Sequence, residues 1–260
     1  MSSAKTGKVL FMDGTYKEAL EVLYNAAADG DAEAAFDYAY CLQFGYGTER
    51  DARAARSFYN FARERIGEAS YNPAVMYMHG EGVARDYSQA YSLMYDAARQ
   101  NIIEAQLYLG VAHTMGTMFE PDIVAISRIP YHTPIGRDSV YMIEGDVPDM
   151  EEDEELRIRA VRFDPHTAFE WFSTAARHDR DYVEALAVQS KYLYARCFVD
   201  GLGTDYDRKR AEDLMLTAAH EGSRDALAFI EEMAPYRLPE LQNSELIAEI
   251  RRREHLPSPK

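Results

Sequence analysis

Apolar residues recur along this chain at +3, +4 and +7 after a fixed alanine, four times over. After Ala55 come Phe58, Tyr59 and Ala62; after Ala90, Leu93, Met94 and Ala97; after Ala168, Trp171, Phe172 and Ala175; after Ala211, Leu214, Met215 and Ala218. That spacing is one buried face of an α-helix, here called helix B. A second stripe precedes each copy, at −11, −7, −4 and −3 from a glycine. It reads Ala34, Tyr38, Cys41, Leu42; then Ala69, Pro73, Met76, Tyr77; then Ala105, Leu109, Ala112, His113; then Ser190, Tyr194, Cys197, Phe198. This is helix A. Between the two helices lie paired glycines, Gly45 and Gly47, Gly80 and Gly82, Gly201 and Gly203, which predict a turn through positive φ. An aspartate four residues before each alanine (Asp51, Asp86, Asp164, Asp207) predicts a helix N-cap, with Gln89 placed to complete a capping box. Pro73 predicts a late start for its helix.

The repeat length is 35 residues from Ala34 to Ala69 and 36 from Ala69 to Ala105. Self-similarity at this period marks a stack of helical hairpins. Half-repeats extend it: Lys8 to Met12 with the stripe Ala19, Val22, Leu23, Ala26 at one end, and Ala226 to Met233 at the other. The expected architecture is all-α, an elongated right-handed superhelix of about ten to twelve helices over residues 1–235. A capping helix over Glu240 to Glu254 and a tail complete residues 236–260. The third full repeat is interrupted. Gly116 and Asp164 are 48 apart, where the other copies have six, so about 42 residues are inserted within 117–162. Val140 to Ile143 and Leu156 to Val161 read as short strands. Glu144 to Glu155 holds eight acidic residues and no basic one, a charge block that reads either as a solvated loop or, with the rest of the insertion, as a lid or docking arm that packs on the groove of the array.

The stretch Gly80-Glu81-Gly82-Val83-Ala84-Arg85-Asp86-Tyr87-Ser88-Gln89-Ala90, followed by Ala97-Ala98, with Leu109-Gly110 in the next unit, resembles the Sel1-like repeat family. The resemblance covers most of residues 15–235. It implies a solenoid related to tetratricopeptide arrays and an adaptor role of the kind found in bacterial and eukaryotic systems, with no shared catalytic residues. It also implies that helix A lines the concave surface. The non-core positions of helix A are −9, −5 and −2: Phe36, Tyr40, Gln43; Tyr71, Val75, Met78; Leu107, Val111, Thr114; Tyr192, Arg196, Val199. A solvated face would be polar, so a mainly apolar one points to a peptide groove, to contact between successive A helices with cover by the insertion, or to both. Phe36, Tyr40, Tyr71, Val75, Tyr192 and Arg196 are the expected groove residues. Tyr131, His132 and Arg137 are the expected contacts from the insertion.

Charge narrows the partner. The formal net charge of −16 argues against nucleic acid, which needs a basic stripe, and favours a protein or peptide with Lys or Arg. No apolar run approaches the ~20 residues of a membrane span, and the first residues do not read as a signal peptide. Cys41 and Cys197 occupy equivalent places in separate repeats, so no internal disulfide is expected and a cytoplasmic setting is. Nothing has the spacing of a metal site, a P-loop or a nucleophile elbow, so no cofactor or metal is expected. His113 stands in a core column. The first reading is a non-catalytic scaffold. The alternatives are an enzyme whose site lies between the insertion and the groove, around Tyr131, His132, Arg137 and Asp138, or a structural protein that assembles through open solenoid ends.

Overall fold

A computed structural model describes residues 3–116, 161–178 and 184–241, and the regular structure among them is helical throughout. The helices are α1 (Ser3–Met12), α2 (Tyr16–Ala28), α3 (Ala32–Phe44), α4 (Ala52–Ala62), α5 (Glu68–His79), α6 (Tyr87–Arg99), α7 (Ile103–Met115), α8 (Pro165–Ala175), α9 (Glu184–Asp200), α10 (Arg208–His220) and α11 (Arg224–Met233). A 3-10 helix, Pro235–Leu241, follows. The chain divides into two compact units, Met1–Ala105 and Gln106–Lys260. The A and B helices pair as antiparallel hairpins, so the expected α-solenoid repeat is the architecture of each unit. The two stretches expected to be strands lie outside the described residues, apart from Val161. So does all of the expected capping helix beyond Leu241.

The first unit is held by small residues. Ala19, Ala34, Ala39, Ala55, Ala62 and Ala69 are completely buried, with Leu23, Tyr59 and Met76 filling the space between them. Alanines let helix axes approach, and close packing leaves the larger chains one place to go. Pro73 does not delay its helix: α5 runs through it. The ring is buried in the column that Tyr38, Leu109 and Tyr194 occupy in the other repeats, so packing outweighs the one lost backbone bond.

Each A–B turn is built the same way. Gly45, Gly80, Gly116 and Gly201 have φ of 78°, 71°, 69° and 66°. Beyond them the backbone N–H groups of Tyr46, Glu81 and Leu202 donate to the carbonyls of Cys41, Met76 and Cys197 at 2.9 Å, which closes a Schellman motif. The cap aspartate then donates its own N–H to the carbonyl at −3: Asp51 to Leu42, Asp86 to Tyr77, Asp164 to His113 and Asp207 to Phe198, at 2.9–3.1 Å. The interrupted copy therefore closes like the others, despite the inserted residues. His113 contributes to that closure. Its Nδ1 lies 2.9 Å from the Arg162 carbonyl. A carbonyl only accepts, so the proton is on Nδ1.

The second glycine has a further cause, close approach. A Cβ on Gly47 would come within 2.7 Å of the Tyr16 carbonyl carbon, one on Gly82 within 2.7 Å of the Ala52 carbonyl carbon, and one on Gly203 within 2.0 Å of the Pro165 carbonyl oxygen. Tyr16, Ala52 and Pro165 are the first residues of α2, α4 and α8. Each turn thus rests its second glycine on the start of the preceding helix B.

In the second unit the 3-10 helix is tied to α10 by charge. Glu212 is buried; it accepts from Arg208 Nε at 2.8 Å and from the Tyr236 hydroxyl. Arg208 Nη2 donates to the Met233 carbonyl at 2.9 Å, and Arg237 pairs with Asp213 at 2.7 Å and Glu240 at 2.6 Å.

Candidate functional site

In the first unit the non-core face of helix A is formed by α3 and α5. Phe36, Tyr40, Tyr71 and Val75 are all partly buried there and keep some exposure. Tyr59 of α4 supports them from beneath. Its ring lies 5.6 Å from that of Phe36. Its hydroxyl donates to Gln43 Oε1 at 2.8 Å and accepts from Asn72 Nδ2 at 3.0 Å, so it ties α3 to α5. Gln43 Nε2 passes the chain on to Glu81 at 3.3 Å, and Arg50 donates to both the Gln43 carbonyl and Glu81. A completely buried phenol with both hydrogen-bonding roles filled fixes the floor of this face.

The aromatic character extends past the four expected residues. Tyr40 stacks on Tyr46 at 5.9 Å with an 11° interplanar angle and meets Phe44 at 4.6 Å. Phe11 packs edge-on to Tyr46 at 5.3 Å and to Tyr16 at 5.3 Å. Phe44, at the end of α3, remains 47% exposed. Tyr16, Tyr46 and Phe11 do not stand out in the sequence as part of this aromatic face, because they come from a half-repeat and from inside a glycine turn. Their signal was the insertion of an aromatic between two glycines, Gly45-Tyr46-Gly47.

Carboxylates lie beside this face. Burial raises the Tyr71 hydroxyl above the ordinary phenol range, with the Glu104 charge adding to it. Burial likewise raises Tyr40, helped by its neighbour Tyr46. Burial lifts the Cys41 thiol to about 12, with Asp37 contributing. Asp37 stands one helical turn from Tyr40 on the same side of α3. Cys41 and Cys197 are both buried thiols.

The corresponding residues of the second unit behave differently. Tyr192 and Arg196 have no exposed surface at all. The guanidinium is used internally: Nε and Nη2 donate to Asp200 Oδ2 at 3.1 and 2.8 Å, and Nη1 to the Tyr192 hydroxyl at 3.1 Å. Desolvation raises both Asp200 and Asp225, and the Arg196 charge opposes the rise. This corrects the expectation that Tyr192 and Arg196 stand open to a partner. A buried guanidinium needs its own counter-charge, and α9 supplies one a turn away. Leu107, Val111 and Thr114 of α7 are buried too, Thr114 through a bond to the Gly110 carbonyl at 2.8 Å. Tyr131, His132, Arg137 and Asp138 lie outside the described residues. Among the described residues, no three of His, Cys, Asp and Glu are placed to share a metal ion, and no helix is long and apolar enough to cross a membrane.

The Sel1 repeat matches residues 32–65, 67–102, 103–125, 160–179 and 188–223, more than half of the chain. The chain is also similar to "Protein sel-1 homolog 2" of Mus musculus, 36% identical over 109 residues, and to its Homo sapiens counterpart, 34% identical over the same length. These matches take in 40% of this chain and only 15% of the length of those relatives. Among solved structures, a Sel1 repeat protein from Oxalobacter formigenes superposes with a TM-score of 0.64 at 20% identity, over 87% of this chain and 74% of that one. At that identity the likeness concerns the fold alone.

Proposed function

The chain belongs to the Sel1 repeat family, and from that premise we propose that it is a non-catalytic scaffold holding a protein or peptide on the helix-A face of its first unit. Sel1 repeats generally mediate contacts between proteins. The observation that carries the reading is the partly exposed aromatic face of Phe36, Tyr40, Tyr71 and Val75, continued by Phe44 and Tyr46 and supported rigidly by Tyr59. Aromatic side chains dominate the energetic centres of interfaces, and a preformed face spares a partner the cost of ordering it. Glu104 beside Tyr71 and Asp37 one turn before Tyr40, in a chain of net charge −16, favour a partner with Lys or Arg next to its apolar anchors. Tyr192 and Arg196 then act as framework for the second unit. The setting is cytoplasmic in this reading.

The test is a partner isolated from the native cell, followed by quantitative binding of variants. Tyr71→Ala and Tyr40→Ala should each weaken binding by roughly thirtyfold, the mark of a hot spot, with thermal stability checked alongside. Association should slow as salt rises. Deleting residues 117–162, which include Tyr131, His132 and Arg137, asks the same question of the insertion. If that deletion abolishes binding while both tyrosine variants bind normally, the helix-A face is not the site.

A further inference from the structure

The repeats provide an internal comparison at the junctions where two B helices flank an A helix on the side away from the groove. In the junction of α2, α3 and α4, this space is packed by three rings. Tyr24 lies 5.4 Å from Tyr38 and 6.5 Å from Phe58, and Tyr38 lies 4.8 Å from Phe58. In the second unit the same junction is formed by α8, α9 and α10. Counting from the fixed alanines and glycines, Ser173 takes the place of Tyr24, Tyr194 that of Tyr38 and Leu214 that of Phe58. A phenol and a phenyl group are thus replaced by a hydroxymethyl and an isobutyl group. What remains is a hollow of about 260 Å³ lined by Ser173, Ala176, Arg177, Lys191, Tyr194, Leu214 and Thr217.

The replacements also change the charge. Arg177 and Lys191 stand where the α2–α3–α4 junction has Ala28 and Ala35, and where the α4–α5–α6 junction has Glu64 and Ser70. Thr217 stands where that last junction has Asp96. Two cations at one hollow thus distinguish this junction from those two and oppose the sign of the chain as a whole. Lys191 donates to both oxygens of Glu221, at 2.7 and 2.5 Å. An ammonium carries three donors, so one is left over. Arg177 makes no ion pair among the described residues, and its side chain is exposed at the rim. Arg210 adds a third positive charge behind Tyr194, its Nη2 3.4 Å from the hydroxyl.

We propose that this hollow binds an anionic group, a phosphate monoester or a carboxylate, carried on a ring-sized apolar stem. The stem lies against Tyr194 and Leu214, where the α2–α3–α4 junction keeps its own Tyr24 ring. The anion meets Arg177, the free donor of Lys191 and the hydroxyl of Ser173, charge-assisted bonds being the strong ones. The Thr217 hydroxyl lines the hollow but donates to the Asp213 carbonyl at 3.1 Å. The site is independent of the groove and does not rest on it. The test is a titration of the full chain, with methyl NMR at Leu214, using phenyl phosphate, inorganic phosphate and phenol as probes. Phenyl phosphate should give a saturable shift with a dissociation constant of about 1 mM or below, a size-appropriate affinity for so small a ligand. Phenol and inorganic phosphate should each bind about tenfold more weakly. Ser173→Tyr restores the residue that fills the other junction and should abolish the response. Arg177→Glu should weaken it about tenfold with the hollow left open. A phosphotyrosyl peptide binding more tightly than phenyl phosphate assigns the natural anion to a protein side chain, and equal binding assigns it to a small molecule. No saturable shift, an equal response to phenol, or wild-type binding by both variants overturns the proposal.

Discussion

A glycine in a turn can be required for its dihedral angles, for the room it leaves, or for both. Gly201 and Gly203 separate these causes within one turn. Both have positive φ, 66° and 67°. A Cβ on Gly201 would meet nothing nearer than 3.8 Å, whereas one on Gly203 would sit 2.0 Å from the Pro165 carbonyl oxygen. Gly201→Ala should therefore cost about 1–2 kcal/mol, the price of a left-handed alanine. Gly203→Ala should cost clearly more, since the turn must lift off α8. Urea denaturation of the two variants checks the order, and equal losses would mean the turn relaxes freely. The sequence marks both glycines alike, because the neighbour that makes Gly203 special is a residue of another repeat. Titration belongs to the same scale. The N–H and hydroxyl of Thr167 hold the Asp164 carboxyl below its usual range. A depressed carboxylate stabilises the fold above its unfolded value near 4, and that stability is lost as pH falls through the folded value. Burial lowers His113, so its unfolded form binds the proton first, and the fold loses stability as pH drops below about 6.5. The raised carboxyls of Asp200 and Asp225 act with the opposite sign as pH falls. The check is therefore the difference in stability between wild type and Asp164→Asn, measured from pH 7 to 3: it should shrink only below about pH 4, with the His113 range unchanged.

Helices were the most legible level. The aspartates at the start of α4, α6, α8 and α10 all accept from backbone N–H groups of the first turn, at 2.9–3.1 Å. Asp51→Ala should cost about 1 kcal/mol, read as a shift in the thermal midpoint. The alanine stripes were equally plain. Ala98 is buried at the end of α6, and Ala98→Leu should cost about 1–3 kcal/mol by overpacking. Polar side chains were harder to place. Gln43 reads as a groove position by spacing, yet it is buried and bonded to Tyr59, an arrangement that depends on Asn72 thirteen residues beyond that tyrosine. Arg196 was misplaced for the same reason. A period gives the face of a helix but not which neighbour covers it, and the counter-charges of Arg196 come from the end of its own helix and from α11.

At the scale of the whole chain, the period of 35–36 residues announced the repeat, and the glycine-to-aspartate interval located the interruption without describing its contents. The strong acidic balance bears on partners more than on fold, since net charge acts on association and solubility. The central claim is that a protein partner sits on the helix-A face of the first unit. Site-specific photo-crosslinking in the native cell tests it most directly. A benzophenone side chain placed in turn at Phe36, Tyr40 and Tyr71 should yield one shared adduct of discrete mass. The same group at Phe61, which is 51% exposed on helix B of the same unit, should not. An adduct from Phe61 equal to that from the three groove positions, or none from any groove position, would contradict the account.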